Sequence, residues 1–156
     1  MTAARASEPP LENLEFQTSL VAAILEASPD GVLVVDTAGL IVAHNRRLLD
    51  VFGIPPERLF GPGGGSLAGL SDRPLLAAVL ELVAEPALFM ERVAALYADP
   101  RLVDDCELAL KDGRTLERHS RALYAADRQY LGRVWFFRDV SSRKRAEAAL
   151  RELSRL

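Results

Sequence analysis

Cys106-Glu-Leu-Ala-Leu-Lys-Asp-Gly-Arg-Thr-Leu-Glu-Arg-His-Ser-Arg-Ala-Leu-Tyr124 is the stretch whose reading decides the fold. Cys106, Leu108 and Leu110 alternate with Glu107, Ala109 and Lys111, the period of a strand with one buried face. Asp112-Gly113 then predicts a hairpin, because glycine adopts the positive φ that tight strand connections need. Thr115 to Tyr124 returns as a second strand. On it Leu116, Arg118 and Ser120 share one face, and Glu117, His119 and Arg121 the other. A third strand, Tyr130 to Arg138, follows the polar turn Ala126-Asp127-Arg128-Gln129. Strands joined in succession by short turns predict an antiparallel sheet rather than βαβ units.

The front half adds helices and a second hairpin. Leu11, Leu14, Thr18, Val21 and Leu25 recur at 3,4 spacing, predicting a helix over 11–27 whose stripe serves either as a docking face or as a dimer seam. Ser28-Pro29-Asp30-Gly31 stops it. Gly31 to Asp36 and Leu40 to His44 are β-rich runs around the turn Thr37-Ala38-Gly39. Asn45 then stands as the N-cap of a short helix closed by Gly53. Residues 57–73, rich in glycine, read as a flexible loop. Pro74 opens a helix with the stripe Leu75, Leu76, Val79, Leu82 and Val83, and Glu85-Pro86 breaks it. A further helix runs from Ala87 to about Tyr97. Ser141 or Ser142 caps a last one, over 141–156. The fold class is therefore α+β.

Composition excludes more than it assigns. The 156 residues suit one domain, and 49% hydrophobic with 26% charged residues is ordinary globular usage. A net charge of −3 offers no footprint for nucleic acid or an anionic membrane. One cysteine, Cys106, excludes a disulfide framework, and two separated histidines, His44 and His119, argue against a metal cluster. Residues 1–10 read as a disordered leader without a signal peptide, and no window is long enough to span a bilayer. A cytoplasmic protein with no nucleic-acid or membrane partner is the expectation.

Three groups of residues, taken in order, resemble the PAS sensory family. They are Ala27-Ser-Pro-Asp-Gly-Val-Leu-Val-Val-Asp36 with Gly39-Leu-Ile-Val-Ala-His-Asn45; Asp112-Gly113 through Glu117-Arg-His-Ser-Arg-Ala-Leu123; and Gly132-Arg-Val-Trp-Phe-Phe-Arg-Asp-Val-Ser-Ser-Arg-Lys-Arg-Ala-Glu147. The resemblance spans roughly residues 18–156 and is nearest to PAS domains of bacterial sensor histidine kinases and diguanylate cyclases. It implies a five-stranded antiparallel sheet wrapped by short helices over residues 28–140, with a small cavity and terminal connector helices. It also implies a sensory input module that passes a small-molecule or partner signal to a C-terminal helix. The alternative within the family is a ligand-free dimerisation or interaction module.

Site expectations follow from the residues and the resemblance together. Either face of this strand would bring a charged group near the interior. If the apolar Leu116 marks the inner face, Arg118 and Ser120 point into the cavity; otherwise Arg118 is solvent-exposed. An interior Arg118 needs an anion, either an internal carboxylate or a ligand. Asn45 and Trp135 are further candidates to line the cavity. Asp139, Ser141 and Arg143 form the candidate transmission junction. There Asp139 can accept N–H bonds at a helix start, and Arg143 or Lys144 can pair with it.

The tail stripe Ala146, Ala149, Leu153 and Leu156 predicts a coiled coil leading to an effector in a longer parent, with a homodimer formed through the terminal helices. No cofactor is expected. Residues 74–98 hold no histidine for haem, and Cys106 sits on a strand rather than in a flavin-type helix motif. No catalytic constellation stands out, so no enzyme activity is expected.

Overall fold

Residues 11–61 and 65–156 are described in the computed structural model. The expected leader, 1–10, and residues 62–64 of the glycine loop lie outside them.

The decisive hairpin forms as its alternation predicts. β3 (Asp104–Ala109) and β4 (Thr115–Tyr124) pair antiparallel, with Cys106 opposite Arg118 and Leu108 opposite Leu116. Gly113 sits at φ 94° in the turn, where the Leu110 N–H donates to the Arg114 carbonyl at 2.9 Å. β5 (Tyr130–Asp139) continues the meander beside β4. On its other side it pairs with β1 (Gly31–Asp36), which carries β2 (Ile41–His44) at the edge. The sheet is five-stranded and antiparallel, in the order β2-β1-β5-β4-β3. The first and last strands of the chain are thus central neighbours, and the helices between them must cross one face of the sheet.

They do so in four pieces. α2 (Arg46–Phe52) begins at Asn45, whose side chain accepts the Leu48 N–H at 3.2 Å, and ends at Gly53. α4 (Arg73–Leu80) and α5 (Pro86–Ala98) each carry a proline in the first turn, where the missing N–H costs nothing. Leu48, Phe52, Leu75, Val79, Phe89 and Val93 project from these helices onto Leu33, Leu116, Trp135 and Phe137 of the sheet, forming one apolar core. Phe52 and Phe137 meet edge to face at 4.9 Å.

Two expectations need correction here. The loop expected over 57–73 contains a single-turn helix, α3 (Glu57–Phe60), that begins after Pro55-Pro56 and packs Leu59 and Phe60 on the core. Four residues are too few for periodicity to register. The helix opened by Pro74 stops at Leu80 and does not carry its stripe to Val83. Instead Val83 bridges Leu110, and the Lys111 N–H donates to the Leu82 carbonyl at 2.8 Å, so this turn closes against the end of β3.

The terminal helices stand apart. α1 (Leu11–Ala27) buries no residue and leaves Leu11, Phe16, Leu20, Val21 and Ile24 exposed. Its C-terminal end is tied down through Asn45, as described below. α6 (Ser141–Ser154) buries only Ser141, and Leu150, Leu153 and Leu156 remain exposed beyond it. No described helix is long and apolar enough to cross a membrane.

Candidate functional site

The inner face of the sheet carries more polarity than a core usually admits. Arg118, Ser120 and Arg133 are each 1% exposed or less. A buried guanidinium is tolerable only with a counter-charge and filled hydrogen bonds. Asp104 meets that need: Arg118 Nε donates to its Oδ2 at 2.6 Å, and Arg92 Nε on α5 donates to its Oδ1 at 2.9 Å. Burial alone would raise the Asp104 carboxyl, but the two arginine bonds outweigh it and hold the group below the usual range. The protein therefore supplies one counter-charge for Arg118 at its Nε, shared with Arg92. Asp104 was not among the sequence candidates, although the Cys106–Leu108 alternation extended back two residues reaches it.

Arg133 has a different task. Its Nη1 donates to Ser120 Oγ at 3.1 Å, and its Nη2 donates to the carbonyls of Leu102 at 3.0 Å and Asp99 at 3.4 Å. It thereby fastens the loop after α5 to the sheet. Ser120 Oγ in turn donates to the Val134 carbonyl at 3.0 Å. Ser120 is consumed by this network and is not among the walls of the two spaces described below.

Asn45, too, has a structural task. Its Oδ1 accepts the N–H groups of Val32 at 2.9 Å and Leu48 at 3.2 Å, and its Nδ2 donates to the carbonyls of Leu25 at 2.7 Å and Asp30 at 2.8 Å. All four hydrogen-bonding positions of the amide are used. Asn45 locks the end of α1 to β1 and α2, and is not among the walls of the interior cavity described next.

Trp135 does line the interior cavity. This space of about 40 Å³ is walled by apolar groups, among them Leu33, Val79, Phe89 and Val93. At about 10–15 Å³ per water, it accommodates a few waters and nothing larger without rearrangement. Its polar end is Tyr97, whose hydroxyl donates to Asp72 Oδ2 at 2.8 Å. Burial first, and then that bond, push the Tyr97 hydroxyl far above its ordinary value, so it stays a donor. Tyr97 packs edge to face on Trp135 at 5.8 Å. The Trp135 indole N–H is buried without a partner.

A second pocket, about 270 Å³, opens between β3 and the first turn of α5. Arg118 reaches it from the sheet, and Phe89 is a wall of both spaces. Cys106 lies here too. Its thiol donates to Asp104 at 3.3 Å, and burial pushes it up to about 11, which favours the protonated thiol at neutral pH.

The other face of β4 meets the C-terminal helix. Asp139 Oδ1 accepts the Ser141 N–H at 2.9 Å; this bond, ahead of the nearby Arg114, holds its carboxyl low. Asp139 is thus the capping group. Ser141, expected as a cap, stands inside the helix and spends its hydroxyl on the Thr115 N–H at 2.9 Å. Arg143 and Lys144 do not pair with Asp139, because the helix turns them toward the sheet. There Arg143 meets Glu117 at 3.2 Å and Glu107 at 3.6 Å, and Lys144 meets Glu107 at 3.1 Å.

The partner of Asp139 is Arg114, at 3.7 Å, a residue missing from the sequence candidates. Its guanidinium also donates to the carbonyls of Val51 at 2.7 Å and Phe52 at 3.2 Å, tying the end of α2 to the junction.

His119 extends this charged lattice. Its ring nitrogens lie 2.5 Å from Asp105 Oδ1 and 2.5 Å from Glu117 Oε1, and Arg121 also meets Asp105, at 3.1 Å. Asp105 first and Glu117 second hold the His119 value above its ordinary one. A raised histidine stabilises the fold fully below its unfolded value of about 6.5, and the contribution disappears as pH rises through the folded value. We expect the thermal midpoint of the wild type to fall over that window relative to His119→Gln, as followed by circular dichroism at several pH values. Parallel profiles for the two proteins would contradict it.

A hairpin-bounded antiparallel sheet with helices across one face and a capped helix leaving its last strand defines the class of α+β domain to which this chain belongs. The model of the PAS fold matches residues 25–145, and the chain belongs to the PAS family. Among solved structures, the PAS domain of Bordetella pertussis BvgS is similar at 18% identity. It covers 90% of this chain and 98% of its own, with a TM-score of 0.59. The sensor region of a sensor histidine kinase matches at 22% identity over 92% of this chain and 57% of its own, with a TM-score of 0.53. A PAS domain of an HTR-like protein from Haloarcula marismortui matches at 20% identity over 83% and 96%, with a TM-score of 0.52. No curated protein matches in sequence. The fold is thus that of sensor domains found in histidine kinases and other signalling proteins.

Proposed function

We propose that this domain is the non-enzymatic sensory input module of a bacterial signal-transduction protein. It couples a small-molecule or partner signal at its interior to α6, which leads to an effector such as a histidine kinase or diguanylate cyclase in a longer parent chain. The observation that carries this reading is the double duty of β4. Leu116 and Arg118 face the helices, while Glu117 between them holds Arg143 of α6 and Thr115 is bonded to Ser141. A signal that shifts β4 on one face moves the anchor of the helix on the other. For a ligand to act this way, it must bind the two positions of that junction unequally.

A second reading, a ligand-free dimerisation module, is favoured by the exposed apolar side of α1 and by the small interior cavity. In it the terminal helices seat a second copy of the chain. Native mass spectrometry and an absorbance spectrum of the purified protein separate the two. A small retained mass without a visible band is the result expected of the sensor. Neither mass nor band, with a dimeric hydrodynamic mass, would favour the interaction module.

A further inference from the structure

We infer that the pocket between β3 and the start of α5 is the site of a small monocarboxylate with a short apolar tail, read by the free edge of the Arg118 guanidinium. This inference rests on the sensor reading and names the ligand class of that sensor. Arg118 is 1% exposed, and its Nε is satisfied by Asp104, yet its Nη1 has no partner. A buried unfilled donor costs more free energy than the bond it forgoes, so the pocket it lines favours an acceptor. The buried orphans among the described residues, Arg118 Nη1, Arg133 Nε and Trp135 Nε1, are all donors. The interior therefore calls for acceptor atoms.

The sign of charge points the same way. Two guanidiniums, Arg118 and Arg92, share the one carboxylate of Asp104 at the inner end of the pocket. α5 begins here without a side-chain cap, and its first turn adds the positive end of a helix dipole. Two acids, Glu85 and Glu107, stand at the exposed edge, and Glu107 is already held by Lys144. Leu88, Phe89, Leu108 and Val83 supply apolar walls for a tail. A space of about 270 Å³ lies below the usual range for drug-sized ligands, which suits a metabolite of a few carbons. Because Phe89 also walls the interior cavity beside Trp135, an occupant here bears directly on the core.

Trp135 is the single tryptophan of the chain, and the Arg118 guanidinium lies 5.8 Å from its ring. Its emission therefore reports the site. Titration of the wild-type protein with pentanoate is expected to change that emission saturably. Pentan-1-ol should bind at least about tenfold more weakly, the low end of what losing a charge-assisted hydrogen bond costs. Pentylammonium should not compete.

Leu88 is 58% exposed, so Leu88→Glu leaves the fold intact while placing a like charge in the pocket; it should abolish pentanoate binding. Equal affinity for the alcohol, tighter binding of the ammonium, no saturable change, or unaltered binding by Leu88→Glu would overturn the assignment. A mass retained in native spectrometry without pentanoate binding would overturn the carboxylate and leave the sensor standing. Pentanoate binding with normal signal output from Asp139→Ala would overturn the coupling and leave the site.

Discussion

Asp104→Ala is expected to destabilise the domain by about 3–5 kcal/mol in urea unfolding, the cost of stranding one member of a buried ion pair. The Asp104 side chain is 3% exposed and Arg118 only 2%, so each charge is left with little water when the other is removed. Against a typical domain stability of about 5–15 kcal/mol, this leaves a marginal or unfolded protein. Arg92 loses the same partner, but its side chain is 42% exposed and can turn to solvent.

The origin of the loss can be checked within the same experiment. The double variant Asp104→Leu with Arg118→Met replaces the pair by apolar groups and removes both desolvation penalties, so it should recover most of the stability. Near wild-type stability for Asp104→Ala would show that Arg118 is solvated. Failure of the double variant to recover would show that shape at this position matters more than charge.

Gly132→Ala is expected to be at least as damaging, about 4 kcal/mol or more. Gly132 sits in β5 between Asp36 of β1 and Leu123 of β4. Its φ is +148°, a region side chains rarely adopt, and a Cβ would lie 2.1 Å from the Val35 carbonyl oxygen. That neighbour is backbone in a paired strand, so no rotamer change relieves the overlap. The strands would have to part where the chain's first strand meets its last. A purified Gly132→Ala protein should lack the cooperative urea transition of the wild type. Stability within about 1 kcal/mol of wild type, the scale of an ordinary surface change, would contradict so close an approach.

These two positions also show where sequence legibility ended. The alternation of β4 placed Leu116, Arg118 and Ser120 on the inner face, and all three are buried there. The same period run backwards on β3 leads to Asp104. However, Leu102-Val-Asp-Asp-Cys106 contains no turn residue to mark the strand start, so neither aspartate stood out. β5 is central and apolar on both faces, which erases the period that would have shown Arg133 pointing inward. Arg114 escaped notice because its partners Val51 and Phe52 lie 63 and 62 residues away in the chain. Asn45 was placed correctly as a cap. Its two donor bonds to Leu25 and Asp30 depend on how α1 meets β1, which no local pattern encodes. At the junction, Asp139 was legible as the helix-start carboxylate, whereas the direction of Arg143 depended on the rotation of α6 over the sheet.

The central claim is that the signal leaves the sheet through the Asp139–α6 junction. It is tested most directly by measuring regulated output in the full-length protein carrying Asp139→Ala. Losing this cap costs about 1 kcal/mol, so the domain stays folded, and a retained cooperative unfolding transition with a slightly lowered midpoint confirms that. Output in this variant is expected no longer to respond to the signal. Normal regulation in the folded variant would contradict it.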